Sequence, residues 1–146
     1  MASDNSVYKK FLNAVEDDLS ELDLGYPVVQ AQLPDDGEFQ HQGLVLSWDD
    51  EKAEGGTNER DDIAYPAVLS LVKGSVRDWE GEMDEIAYVR ERVRRKFHNK
   101  RVTLSDSLAI PMGCKVRYGP IGLAEKWVDN WNDSRLVIWG YFRESR

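Results

Sequence analysis

The sequence predicts an α+β fold, an α/β two-layer domain. Its sheet is expected to be mixed and mainly antiparallel. An N-terminal helix and a central basic helix pack on one side of it. Three observations lead there. Two segments carry apolar residues at helical spacing, several short segments alternate like strands, and the order runs helix, strands, helix, strands. At 146 residues the chain fits one domain spanning 1–146, long enough to bury a core without metals or disulfides.

The first helix is expected in "SVYKKFLNAVEDDLSEL". Val7, Phe11, Leu12, Val15, Leu19 and Leu22 recur on one face. Ser3, Asp4, Asn5 and Ser6 all suit the N-cap, and Gly25 lies just past the end, where helices often stop. "YPVVQAQL" reads as a short strand before a turn at "PDDG". "GLVLSW" reads as a second, with Leu44, Leu46 and Trp48 on one side.

Asp49 to Asp62, "DDEKAEGGTNERDD", has no large apolar side chain and contains a glycine pair. It cannot bury itself and is expected to be a mobile acidic loop. "IAYPAVLSLVKG" follows as the clearest strand. Tyr65, Ala67, Leu69 and Leu71 face one way, Val68 and Val72 the other, and Pro66 marks a strand start or an edge.

"SVRDWEGEMDE" reads as a loop or short helical turn. "DEIAYVRERVRRKF" is the second helix, with Ile86, Val89, Val93 and Phe97 on its apolar face. Acids at its start and bases at its end complement the helix dipole. "CKVRYG" and "SRLVIWGYFRES" are the last strands. Between them, "PIGLAEKWVDNWNDS" is a short helix or structured loop holding Trp127 and Trp131. In the final strand Val137, Trp139 and Tyr141 alternate with Leu136, Ile138 and Phe142. Apolar residues on both faces imply a covered sheet or a subunit contact.

Charge is unevenly distributed. The formal net charge is −8. Residues 1–62 hold 16 acids and 4 bases, a balance of −12, whereas residues 63–146 hold 11 acids and 15 bases, a balance of +4. Unlike surfaces favour contacts between different faces of neighbouring copies, and such contacts can close into a ring. The densest positive run is "RERVRRKFHNKR", with seven Lys or Arg and one acid, Glu91, between Arg90 and Arg101. On a helical wheel Val93 and Phe97 fall within about 20° of Ile86. Arg90, Arg92, Arg94, Arg95 and Lys96 therefore spread over a broad polar arc. A solvated face paired with the chain's own acids and an interface to another chain are comparable readings. Duplex binding ranks behind them, because neither exposed aromatics nor a recognised module accompanies the charge.

No catalytic signature and no His/Cys metal signature occurs, while the many acids leave a carboxylate site for Mg²⁺ or Ca²⁺ open. Two distant histidines, His41 and His98, and one cysteine form no H-E-x-x-H or C-x-x-C pattern. No G-x-S-x-G elbow or phosphate-binding glycine turn occurs. The carboxylate pairs Asp17/Asp18 and Asp61/Asp62 read as solvated faces, so an enzyme ranks last. No cofactor is expected. Cys114 cannot form an intrachain disulfide and reads as a small packed residue. No apolar run approaches the roughly 20 residues of a membrane span. "MASDNSVYKK" lacks the apolar region of a secretory signal, so synthesis inside the cell is expected.

The element order also resembles a family, the tail-terminator and tail-completion proteins of tailed bacteriophages. The residues that carry the likeness are "VYKKFLNAVEDDLSEL", "NERDDIAYPAVLSLV", "YVRERVRRKFHNKRV" and "LVIWGYFRES". The resemblance implies a non-enzymatic virion protein made in the host cytoplasm. It would form a hexameric ring that caps the tail tube and meets the neck connector. Tail tube and neck proteins would be partners, with the sheath a further one. Head-closure and adaptor proteins share this texture and stay open as alternatives. The family has no catalytic residues to carry over. Expected contact residues are Asp49, Asp50, Glu51, Glu59, Arg60, Asp61 and Asp62 from the acidic segment. Arg90, Arg92, Arg94, Arg95 and Lys96 join them from the helix, and Trp139 and Tyr141 from the last strand.

Overall fold

In the computed structural model, residues 6–31, 43–56, 60–73, 79–104, 109–123 and 132–145 are described. Two helices and six strands follow in the order α1 (Val7–Glu21), β1 (Val28–Gln30), β2 (Gly43–Trp48), β3 (Lys52–Gly56), β4 (Arg60–Lys73), α2 (Trp79–Phe97), β5 (Ala109–Leu123) and β6 (Asn132–Ser145). The sheet runs β1-β2-β4-β6-β5, and β3 pairs separately with β4. Among the described strand pairs β1 and β2 run parallel, and the others are antiparallel. The α+β expectation holds, with both helices on one face.

That face is the core. α1 contributes Phe11, Leu12, Val15 and Leu19, and α2 contributes Ile86, Val89, Val93 and Phe97. They meet Leu44 and Leu46 of β2, Tyr65, Ala67, Leu69 and Leu71 of β4, Cys114 and Val116 of β5, and Leu136, Ile138 and Phe142 of β6. Each large apolar side chain so buried contributes about 1.5–3 kcal/mol, an upper estimate because the unfolded chain is already partly collapsed. The 3.6-residue period of each helix and the two-residue period of each strand put these residues on facing surfaces.

α1 begins at Ser6, whose side chain accepts a hydrogen bond from the Lys9 amide at 3.1 Å. This selects one cap from four eligible residues. The helix ends four residues before Gly25, and Asp23 rather than Gly25 is the first left-handed residue after it (φ 50°). α2 starts at Trp79, earlier than its apolar period shows, because Gly81 and the acids around it hide the first turns.

The segment expected as a mobile loop is organised differently. β3 and the start of β4 form an antiparallel hairpin, with Lys52 opposite Ala64 and Gly56 opposite Asp61. Backbone ladder bonds need no apolar side chains, so low hydrophobicity did not exclude strand here. An irregularity between Ala53 and Gly55, where φ is +142° at Gly55, further hides the alternation. Residues 57–59, including Glu59, lie outside the described residues. So do the "PDDG" turn and residues 124–131 with Trp127 and Trp131.

Pro66 sits inside β4, neither at its start nor on a sheet edge. β2 ends at Trp48 opposite Ala67 and β3 begins at Lys52 opposite Ala64, so Pro66 faces a gap between two partners. The N and O of one strand residue point to the same side, so the missing N–H costs no ladder bond there. Tyr8, reaching across from α1, fills the gap. Its hydroxyl contacts the Pro66 carbonyl, accepts from the Asp49 amide at 3.0 Å and lies 3.1 Å from the Asp49 carbonyl. Burial pushes the Tyr8 hydroxyl up to about 12.

β5 is longer than its sequence signal. Register shifts between Pro111 and Gly113 and between Tyr118 and Ile121 interrupt its alternation. Inside it, Cys114 is buried, and burial pushes its thiol up to about 12. The folded protein is therefore expected to leave Cys114 unmodified by a thiol reagent at pH 8, with reaction appearing only in denaturant. Fast labelling under native conditions would place this residue outside the core.

Candidate assembly interface

The basic run does not act as one surface. Arg90 folds onto the sheet. Its guanidinium lies 4.5 Å from the Tyr118 ring centre and donates to Ser134 Oγ at 3.0 Å. Burial pulls its pKa below the ordinary arginine value. Arg95 pairs with Glu91 one turn back at 2.5 Å, an exposed pair of the kind that adds little to stability. Lys96 points to α1, 3.9 Å from Glu21, and its charge offsets part of the upward shift that burial imposes on Asp18. Arg92 stacks beside Tyr88 at 5.8 Å, and Arg94 is exposed. Lys96 and Arg95 thus follow the reading of a helix paired with its own acids. Arg92, Arg94 and Arg95 remain on the outward side.

The end of the run has a separate task. His98, Asn99 and Lys100 lie along the outer edge of β5. The Asn99 amide donates to the Cys114 carbonyl at 2.8 Å, and the Cys114 amide donates to the Lys100 carbonyl at 2.8 Å. The Val116 amide donates to His98 Nδ1 at 3.0 Å, which places the imidazole proton on Nε2. This covers part of an edge strand that would otherwise invite pairing. Beside it opens a groove of about 730 Å³, lined by Arg101, Met112, Lys115, Arg117 and Tyr141 together with the His98–Asn99 turn. Ile110 and Met112 nearby are 53% and 46% exposed. Sequence reading missed this groove, because the β5 irregularities hide which residues share a face. The signal present was the pairing of Lys115 and Arg117 at strand spacing in "CKVRYG".

The acidic segment lies toward the other side of the sheet. Asp49, Asp50 and Glu51 are exposed where the chain crosses from β2 to β3. The Asp50 amide donates to Asp49 Oδ1 at 2.8 Å, and Tyr8 holds the Asp49 backbone. Asp61 and Arg60 enter β4 and leave this cluster. Asp62 turns to Arg143, its cross-strand neighbour, with contacts of 2.8 and 3.3 Å. Hydrogen bonding to the Arg143 guanidinium holds the Asp62 carboxyl below the usual carboxylate range.

A depressed folded pKa stabilises above the unfolded value, about 3.9, and the benefit disappears as pH falls through the folded value. Asp62→Asn is therefore expected to lower the melting temperature at pH 7, with the gap to wild type closing below about pH 4. A gap that stays constant from pH 7 to pH 3 would contradict an ionic role.

Trp139 and Tyr141 lie on the face opposite the helices, both partly buried. Lys52 reaches across β4 to stand 4.9 Å from the Trp139 ring centre. Among the described residues, no group of three or more His, Cys, Asp or Glu side chains could hold a metal ion. No described helix is long and apolar enough to cross a membrane.

No protein-family model matches this chain. No curated protein matches it either. Among solved structures, the fold is similar to a chain from the virion of a native gene transfer agent particle. The TM-score is 0.61 at 13% identity, over 90% of this chain and 93% of that one. The two chains share a fold over most of both lengths, at an identity too low to carry residues across.

Proposed function

We propose that this chain is a non-enzymatic structural protein of a virion, and that it works as a tail terminator. Copies would form a hexameric ring that caps the finished tail tube and presents a surface to the neck. The observation that carries the virion reading is the shared fold with a virion chain over nine-tenths of both lengths. The terminator role rests on the family resemblance of the four segments named above, and the number six comes from that resemblance. Separation of exposed acids and bases onto different parts of one sheet supports head-to-tail contact between copies.

The mechanism is templated docking. One ring face would match the last ring of the tube, and further tube subunits would then find no site. Asp49, Asp50 and Glu51 are assigned to subunit contacts. The outward arc of Arg92, Arg94 and Arg95 is assigned to the electrostatic fit of the assembly, where rim charges steer encounter and orientation more than they add affinity.

Quantitative mass spectrometry of particles purified from the producing cells tests this reading. A terminator is expected in intact particles at a low fixed copy number, one ring for each tail, far below the tube protein. Absence from washed particles, or a copy number that tracks tail length, would refute it.

A further inference from the structure

Two features of the sheet lie level with each other on opposite sides. Trp48 pairs with Ala67, Ala67 with Ile138, and Ile138 with Val116. That row crosses the sheet from the end of β2 to β5. Three strand spacings of about 4.8 Å separate its ends by roughly 14 Å. At one end Trp48, 46% exposed, leads into Asp49, Asp50 and Glu51. At the other end the groove of about 730 Å³ opens beside Val116.

The two ends are chemically complementary. One offers an exposed aromatic ring followed by three carboxylates. The other offers Met112 and Tyr141 flanked by three exposed cations, Arg101, Lys115 and Arg117. Lys115 is steadied by Asn99 Oδ1 at 2.5 Å. The acidic tongue is also held in shape. Tyr8 fixes the Asp49 backbone and Asp49 Oδ1 fixes the Asp50 amide, which lowers the entropy lost when it docks. Within one chain the sheet keeps the two apart.

We infer that the Trp48–Glu51 tongue of one copy docks into the β5-edge groove of the next. The contact is heterologous: each copy gives its tongue to one neighbour and its groove to the other. Contacts of that kind propagate around a ring and close when the rotation per copy allows. This inference rests on the ring reading above and specifies the surfaces that would build it.

Two variants of the full chain test it. Arg101→Ser with Lys115→Ser and Arg117→Ser neutralises the groove and keeps the tongue. Trp48→Ser with Asp50→Asn and Glu51→Gln removes the tongue and keeps the groove. Asp49 is left in place because it shapes the segment. Native mass spectrometry is expected to show oligomers for wild type and monomers for each variant, with association at least tenfold weaker. An equimolar mixture of the variants is expected to give a one-to-one dimer and nothing larger, since only one productive contact remains.

Variants that keep the wild-type oligomer overturn this contact and leave the ring reading standing. Monomeric variants that fail to dimerise on mixing also overturn it. A wild type that stays monomeric removes the ring reading and the contact with it. If circular dichroism shows that either triple variant is unfolded, the single exposed changes Arg117→Glu and Asp50→Lys supply the comparison. Each alone is expected to weaken association, and mixing the two, which pairs reversed charges, is expected to restore it; no restoration overturns the contact.

Discussion

Phe11→Ala is expected to lower the unfolding free energy by about 3–5 kcal/mol, and Gly140→Ala by about 1–3 kcal/mol. Phe11 is fully buried and meets Phe142 edge-on at 5.4 Å. Its ring edge lies directly over Gly140. A Cβ added there would sit 2.6 Å from both Cε1 and Cζ of Phe11 and 2.9 Å from Cε2 of Phe142. Neither ring can withdraw without disturbing the junction of α1, β4 and β6. The two substitutions act on the same space with opposite sign, one emptying it and one crowding it. The double variant should therefore cost less than the sum of the single ones, by an amount well outside the usual additivity error of about 0.3–0.5 kcal/mol. Urea denaturation of the three variants measures this. Simple additivity would mean that Phe11 and Gly140 do not share a contact. Against a typical total stability of about 5–15 kcal/mol, the Phe11 change alone can unfold much of the population.

Reversing Arg92, Arg94 and Arg95 to Glu is expected to disturb assembly more than folding, slowing and weakening association while leaving the chain folded. The fold loses one exposed pair, Arg95–Glu91, worth about 0.3–0.5 kcal/mol. Acids near the C-terminal end of α2 also oppose the helix dipole, at about 0.3–1 kcal/mol each. The apolar seam of Ile86, Val89, Val93 and Phe97 is untouched, so circular dichroism should be near normal and melting only several degrees lower. The effect between copies is larger. A strongly basic part of an acidic protein becomes acidic, and its contribution to the field that brings unlike surfaces together reverses. Salt should partly restore association by screening the added repulsion. Normal oligomers combined with easier unfolding would show instead that this arc is a solvated helix face.

Much of the fold was legible because its periodicities are clean. The α1 and α2 seams, the two faces of β4 and the two faces of β6 all follow from side-chain spacing. Where the backbone departed from regularity, the signal weakened. β3 makes ladder bonds with no large apolar side chains, and β5 contains two register shifts. The start of α2 is masked by Gly81 and acids. Pro66 misleads because its missing amide proton faces a gap that only the tertiary arrangement creates. The candidate interface was less legible than the fold. Charge counts identified an acidic half and a basic half, but sequence cannot say that Arg90 folds onto Tyr118 or that Lys96 turns to Glu21. Nor does it show that the end of the basic run seals the β5 edge beside a groove. Asp62, grouped with the exposed acids by sequence, is engaged by Arg143.

In the proposed function, copies of this chain assemble into a closed ring. Native mass spectrometry of the wild-type full-length protein, with negative-stain images of the same sample, tests it most directly. One dominant species of six copies, seen as an annular particle, is expected. A monomer at every concentration, or an unbounded ladder of masses without a closed species, would contradict it.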